Sequence, residues 1–420
     1  MSEESTTVLS RPNIKPSRVP KVFSAMRHRN FQLYFGGQLV SNAGTWMQVI
    51  AQGWLVYELT HSEFALGVVS FASALPVLIV SLWGGMIVDR FPKRTLLVIT
   101  QASAMCLAFI LAGLTFTGLV REWHIILLAA LLGVVNAVDA PARQAIIVEM
   151  VGKEDLPNAI AMNSMMFNSA RIIGPSIAGI LLAILGAGWC FTINAVSYIA
   201  VIAGLLAMKM PPHRANPISG SPLNQVSSGI KYVLRNPDLW GLLLLASVFG
   251  VFGISYSNIL PAFAEDFLKS GATGYGALNA FMGVGALVGA FLVALYSDSG
   301  KRGAMLNIAN LFYPIVLGVF AWVPHLLPSL GLICLLGVGF MVQMAMTNTL
   351  LQTSVDDEYR GRVMSLYALT FFGFSPFGSL LIGTLAQNWG SSIAIGICAV
   401  ITWVVSRWVM LRTPRIRKLP

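Results

Sequence analysis

Long apolar runs broken by short charged clusters make up most of the chain. Runs of about 20 residues are long enough to cross a hydrocarbon core of ~30 Å, and about twelve can be counted. In the first half they are 31–57, 64–88, 95–118, 124–146, 158–184 and 187–208. In the second half they are 238–262, 273–297, 303–324, 328–351, 362–386 and 390–411. Between the halves, 209–236 is polar and carries Pro211, Pro212, Pro217 and Pro222, with a surface helix expected over 221–234. Residues 1–28 are polar and basic and lack an apolar h-region, so they read as a disordered cytoplasmic tail and not as a signal peptide. The pattern predicts an all-α integral membrane protein: a six-helix bundle over 29–208, a cytoplasmic linker over 209–236, a second six-helix bundle over 237–411, and a basic tail over 412–420.

Composition narrows the class. Charged residues are 10% and hydrophobic residues 56% of the chain, against about 25% charged in soluble domains. The net charge of +10 lies in short clusters between apolar runs, which fits the positive-inside bias and not a nucleic-acid surface. Arg11 to Arg29, Arg90 to Arg94, Lys153, Lys209 to Arg235, Lys301 and Arg302, Arg360 and Arg362, and Arg412 to Lys418 all fall on one side, whereas only Arg121 and Lys269 fall on the other. Both termini are therefore expected in the cytoplasm. Cys106, Cys190, Cys334 and Cys398 lie in apolar runs without metal-ligand spacing and read as packing residues. The five histidines sit in tails or loop ends. With no phosphate loop, His-Glu-x-x-His or Gly-x-Ser-x-Gly, the chain reads as a non-enzyme without metal or cofactor, driven by an ion gradient.

One interruption stands out: Gly85, Asp89, Arg90, Pro92, Lys93 and Arg94 form a short charged hinge after the second span, and about 200 residues later Ala294, Asp298, Ser299, Gly300, Lys301 and Arg302 repeat it. This pair resembles the loop signature of the major facilitator superfamily, Gly-x-x-x-Asp-Arg-x-Gly-Arg/Lys-Arg/Lys, with Pro92 in place of its second Gly. The resemblance implies two six-helix bundles related by an axis along the membrane normal, a cavity near the midplane, and alternating access by a functional monomer. Within the superfamily, Asp139-Ala-Pro141-Ala-Arg143-Gln144, Asn158, Asn163, Asn168-Ser-Ala-Arg171-Ile-Ile-Gly174-Pro175, Gly37-Gln38 and Gly53-Trp-Leu-Val-Tyr57-Glu58 resemble the branch of the bacterial enterobactin exporter and proton-driven drug exporters. That branch implies export of a drug-like compound or siderophore across the bacterial inner membrane by proton antiport. The alternative on the same fold is an uptake transporter or a lipid or lysophospholipid flippase.

The resemblance and the residues together suggest sites. Asp89 is expected to face the dipole at the start of the eleventh helix, near Arg360 to Val363, as a latch. Arg90, Lys93 and Arg94 would pair with Glu149, and Lys301 and Arg302 with Asp356, Asp357 or Glu358; the plainer reading is a topology signal alone. Gly174, Pro175 and Gly179 resemble the kink motif of superfamily antiporters, with ordinary helix packing as the alternative. Asp139 shares a helix face with Asn136 and Arg143, while Arg171 shares one with Ser164 and Asn168. Asp139 paired to Arg143 or Arg171 would couple to protons, since protonation would release the arginine; the competing reading is a permanent structural pair. Gln38, Asn42, Thr45 and Gln52 form an amide face expected to line the cavity or to hydrogen-bond between helices, with Tyr256, Asn258, Gln343, Asn348 and Gln352 as second-half counterparts. Phe281, Met282, Phe371 and Phe372 would supply an adaptable apolar wall.

Overall fold

The computed structural model describes residues 21–210, 222–296 and 300–419, which form helices and no strand. Twelve are long: α1 (Arg29–Thr60), α2 (Glu63–Arg90), α3 (Lys93–Phe116), α4 (Glu122–Val151), α5 (Leu156–Leu185), α6 (Ala187–Ala207), α7 (Pro237–Phe267), α8 (Gly271–Tyr296), α9 (Arg302–Trp322), α10 (Leu326–Ser354), α11 (Asp357–Trp389) and α12 (Ser391–Arg412). Eleven of these are apolar and long enough to cross a bilayer. The other, α1, has 32 residues, or about 48 Å, but Gln38, Ser41, Asn42 and Gln48 interrupt its apolar sequence and are buried inside the protein. Large apolar side chains point outward instead, including Ile184, Phe291 and Leu411, as lipid contact requires.

Local chemistry sets the helix ends. Ser62 accepts the Ala65 N–H at 3.2 Å to start α2, and Asn236 accepts from Asp238 and Leu239 ahead of Pro237 at the start of α7. Gly186 and Gly390 have φ of 81° and 84° and turn α5 into α6 and α11 into α12; L side chains avoid that region. Their separation, 390 − 186 = 204 residues, gives the offset between the two halves at this point. α7 and α11 each pass through a π turn, at Phe249–Gly253 and Leu369–Gly373.

Packing repeats at the same positions in each half. α1 lies on α5 and α6, α3 on α4 and α6, and α2 on α4; likewise α8 lies on α10, and α9 on α10 and α12. The halves meet along two related seams, α2 against α11 and α5 against α8. The surface helix Pro222–Leu234 lies against the start of α11 through Tyr232, which stacks on Tyr359 at 4.3 Å and donates to Asp356 at 2.9 Å.

The tail expectation needs one correction. Residues 1–20 lie outside the described residues, but Lys21–Arg27 form a helical turn instead of continuing a disordered tail. Ala25 is fully buried there, its N–H is accepted by Asn158 Oδ1 at 3.0 Å, and His28 contacts Asp155 at 2.8 Å. Asp298, Ser299 and residues 211–221 of the proline-rich linker also lie outside the described residues, as do the surroundings of Gly85 and the side chains of Asp89 and Phe372.

Candidate functional site

The polar side chains of the first half converge between α1, α3 and α4. Helical spacing puts Arg143 one turn after Asp139, and the Arg143 Nε donates to Asp139 Oδ2. Asp139 Oδ1 accepts from Thr100 Oγ1 and from Gln101 Nε2, each at 2.7 Å. Arg143 Nη1 reaches across to Gln38 Oε1 and, at 3.4 Å, to Asn42 Oδ1. Thus a carboxylate that is 4% exposed has three donors, which is what a buried charge needs to persist. Of the two arginines expected near Asp139, Arg143 makes the pair.

Two polar chambers adjoin this network. One of about 300 Å³ is bounded by Tyr34, Asn42, Asn136, Asp139, Arg143 and Phe167. The other, of about 380 Å³, is bounded by Gln48, Gln52, Ser73, Asn194, Asn258 and Tyr275 and includes residues of both halves. Thr45, Asn136 and Tyr198 line both. Volumes of this size suit small organic ligands. Two larger grooves, of about 740 and 510 Å³, open on the outer face of the second half between α9 and α12 and among α8, α9 and α10. Their walls are almost wholly apolar, so they lack the convergent polar groups that orient a ligand, and we read them as lipid-facing.

The second half lacks the ionisable pair. Positions 204 residues after Asp139 and Arg143 are Gln343 and Thr347. Both are buried, and among the described residues neither the Gln343 amide nor the Thr347 hydroxyl has a hydrogen-bond partner. Tyr256 is fully buried with its hydroxyl 3.7 Å from Met282 Sδ. Asn258 donates to Ser379 Oγ at 2.9 Å, and Gln352 donates to Asn348.

Arg171 stands apart from Asp139. Its guanidinium lies 5.5 Å from the ring centre of Trp46 in α1 and 4.9 Å from that of Phe340 in α10. Asn168, one turn away, bonds the Ser164 carbonyl of its own helix at 2.8 Å.

The kink motif sits at helix crossings. A Cβ on Gly174 would lie 2.6 Å from the Ala43 carbonyl and from Trp46 Cβ, and one on Gly179 would lie 2.9 Å from Gly276 Cα across the α5–α8 seam. Pro175 is buried beside them. At the hinge, Lys93 Nζ is 2.6 Å from Glu149 Oε1, Arg94 donates to the Leu206 carbonyl at 2.6 Å, and Arg90 is exposed. Lys301 is exposed at the start of α9, and Arg302 opens that helix. Two of the acids expected opposite them are engaged elsewhere, Asp357 with Arg360 at 2.5 Å and Asp356 with Tyr232.

Sequence reasoning missed several participants. Thr100 and Gln101 form a polar dipeptide inside the apolar α3, a detectable signal. Gln48 and Asn194, 2.6 Å apart, gave only isolated amides. The contacts closing the face opposite the chain termini had no signal in the sequence. There Tyr57 donates to Asp266, Ser62 donates to Gln387 at 2.7 Å, Ser391 donates to Glu63 at 3.4 Å, and Trp54 stacks on Tyr275. The Phe64 N–H to Gln387 adds a further hydrogen bond between the halves at that face.

Known proteins resemble this chain at two levels, sequence and fold. The staphyloferrin A transporter of Staphylococcus aureus is 28% identical over 377 residues, covering 88% of this chain and 92% of that protein. The enterobactin exporter EntS of Shigella flexneri is 25% identical over 401 residues, covering 94% of each. Among solved structures, the nucleoside transporter NupG aligns with a TM-score of 0.67 at 12% identity over 94% of this chain and 99% of its own. A bacterial homologue of the human lysosomal transporter Spinster aligns with a TM-score of 0.63 at 16% identity over 95% of each chain; at such identities the likeness is one of fold. The model for the transmembrane secretion effectors matches residues 21–418, and the chain belongs to that family of major facilitator transporters, multi-pass membrane proteins that move solutes.

Proposed function

We propose that this protein is a secondary active exporter of a small organic molecule, lodged in a bacterial inner membrane with both termini cytoplasmic and driven by proton antiport. The observation that carries the reading is the asymmetry of the central path. The polar chambers run from the Asp139–Arg143 network toward Gly53 and Val56, where the path ends beneath the Tyr57–Asp266 and Ser62–Gln387 contacts. With the termini in the cytoplasm, this is the state that receives cargo from inside.

Rocking about the α2–α11 and α5–α8 seams would open the other face. The Lys93–Glu149 pair, the hinge residues around it and the Asp89 region would then help close the cytoplasmic side. Asp139 is the coupling residue of this reading. A proton on its carboxylate weakens the contact to Arg143 and frees that guanidinium from its link to Gln38 and α1. The neutral Gln343 and Thr347 confine coupling to the first half. Export is favoured over uptake because one full-length relative is named an exporter.

The test is flux in everted vesicles energised to an acidic lumen, using a panel of organic dyes and siderophores. Accumulation that collapses with a protonophore is the expected result. Asp139→Asn should keep cargo binding and lose the dependence on the proton gradient. Accumulation that is indifferent to the gradient in the wild type refutes antiport.

A further inference from the structure

We infer that Arg171 is a binding site for the carboxylate of an anionic cargo whose flat apolar body lies against Trp46, Phe167 and Phe340. This inference rests on the transport reading and names the class of molecule carried. An arginine deep in a membrane protein ordinarily pairs with an acid or with backbone carbonyls. Arg143 does so, with Asp139, Gln38 and Asn42. Arg171 does not: among the described residues no carboxylate lies within ion-pair reach and none accepts a hydrogen bond from it. The ionisable groups near enough to act on it are the phenols of Tyr256 and Tyr313.

What it does have is two aromatic faces, and these come from different halves of the protein, Trp46 from α1 and Phe340 from α10. Phe167, one helical turn earlier, meets Trp46 edge to face at 5.7 Å and also lines the chamber of Asp139 and Arg143. Ring faces attract the cation but give its N–H groups no acceptor. The Arg171 side chain is half-buried, in contrast to the fully enclosed Nε of Arg407 and Arg417. A planar fork of donors without a protein acceptor among the described residues, beside rings and at the seam where the halves separate, matches a carboxylate attached to a flat apolar group. The charges leave the same need: Asp139 offsets Arg143, and among the described residues no acid offsets Arg171.

The discriminating measurement is equilibrium binding to the purified full-length protein in nanodiscs of phosphatidylcholine, which carries no net charge. 2-Naphthoate is compared with the neutral, nearly isosteric 2-naphthamide. About tenfold tighter binding of naphthoate is expected, the scale of a charge-assisted bidentate contact. Arg171→Gln should abolish that preference and leave naphthamide binding as it was. Arg171→Lys, which keeps the charge without the fork, should reduce it to about threefold and decides the matter should the Gln variant not fold. Equal binding of the two probes by the wild type overturns the inference, as does an undiminished preference in the variants. Because no gradient is involved, anion preference without flux would leave this site standing and refute transport, while flux of neutral cargo without anion preference would do the reverse.

Discussion

Replacing Gly276 by Ala tests the rocking of the halves directly, because the steric cost falls on one state alone. In the state described here a Cβ at position 276 would lie 2.5 Å from Gly179 Cα, 2.9 Å from its nitrogen and 3.0 Å from the Pro175 carbonyl oxygen. All three are backbone atoms of a helix, so no side chain can turn aside, and α5 and α8 have to part by roughly 1 Å to restore ordinary contact. Overpacking of this kind costs about 1–3 kcal/mol. At about 2 kcal/mol, the equilibrium moves some 30-fold, roughly, toward a state in which this face is open. Spin labels at the exposed positions Arg121 and Asn388, one on each half at this face, report the change by pulsed electron resonance. Gly276→Ala should move the distance distribution to a longer component. Gly179→Ala, whose Cβ would stop 2.9 Å from Gly276 Cα, should move it less. Gly331→Ala, where a Cβ meets nothing within 4 Å, should leave it unchanged. If Gly276→Ala and Gly331→Ala gave the same distribution, the seam would not govern opening.

Two further outcomes follow from pairs in the first half. Arg143→Gln leaves Asp139 charged, buried and short of its strongest partner, and should cost about 3–5 kcal/mol in thermal unfolding in detergent, whereas Asp139→Asn combined with Arg143→Gln should recover most of that; a double variant as unstable as the single would refute an energetic pair. Outside the membrane, hydrogen bonds from Ser24 and then His28 hold the Asp155 carboxyl below its ordinary range. A depressed carboxylate contributes fully above its unfolded pKa of about 4 and loses that contribution as pH falls through the lower folded value. The turn Lys21–Arg27 should therefore stay docked at neutral pH, and Asp155→Asn should release it there, read as faster tryptic cleavage at Arg27; unchanged cleavage would show that Ala25 burial and its bond to Asn158 hold it without Asp155.

The helices were legible in the chain because a bilayer leaves little choice. A backbone in hydrocarbon satisfies its own hydrogen bonds only as a helix, so apolar runs of span length fix the elements, and the repeated hinge shows that there are two related halves. The helix ends ran a few residues beyond the apolar runs, as at Arg29 and Phe267, since a helix continues into water where caps such as Asn236 or a left-handed glycine decide its end. Asp139 with Arg143 could be read from the one-turn spacing, because a helix brings such residues together whatever the tertiary fold.

Partners on other helices could not be read in this way. Thr100 and Gln101 on α3, and Gln38 and Asn42 on α1, reach the pair only after three helices have packed. The one-turn spacing made Arg143 a candidate without excluding Arg171; tertiary packing gave one an acid and the other two aromatic rings. The small residues Gly179 and Gly276 advertised close approach without saying to whom, and Tyr57 with Asp266 advertised nothing. By itself the sequence determined the helices, the repeat and Arg143 as one candidate partner of Asp139, because these depend on local spacing, on recurring motifs and on the solvent. The tertiary structure alone decided which face the halves close and which arginine, among the described residues, meets rings instead of an acid, because both depend on side chains up to a few hundred residues apart meeting across a seam.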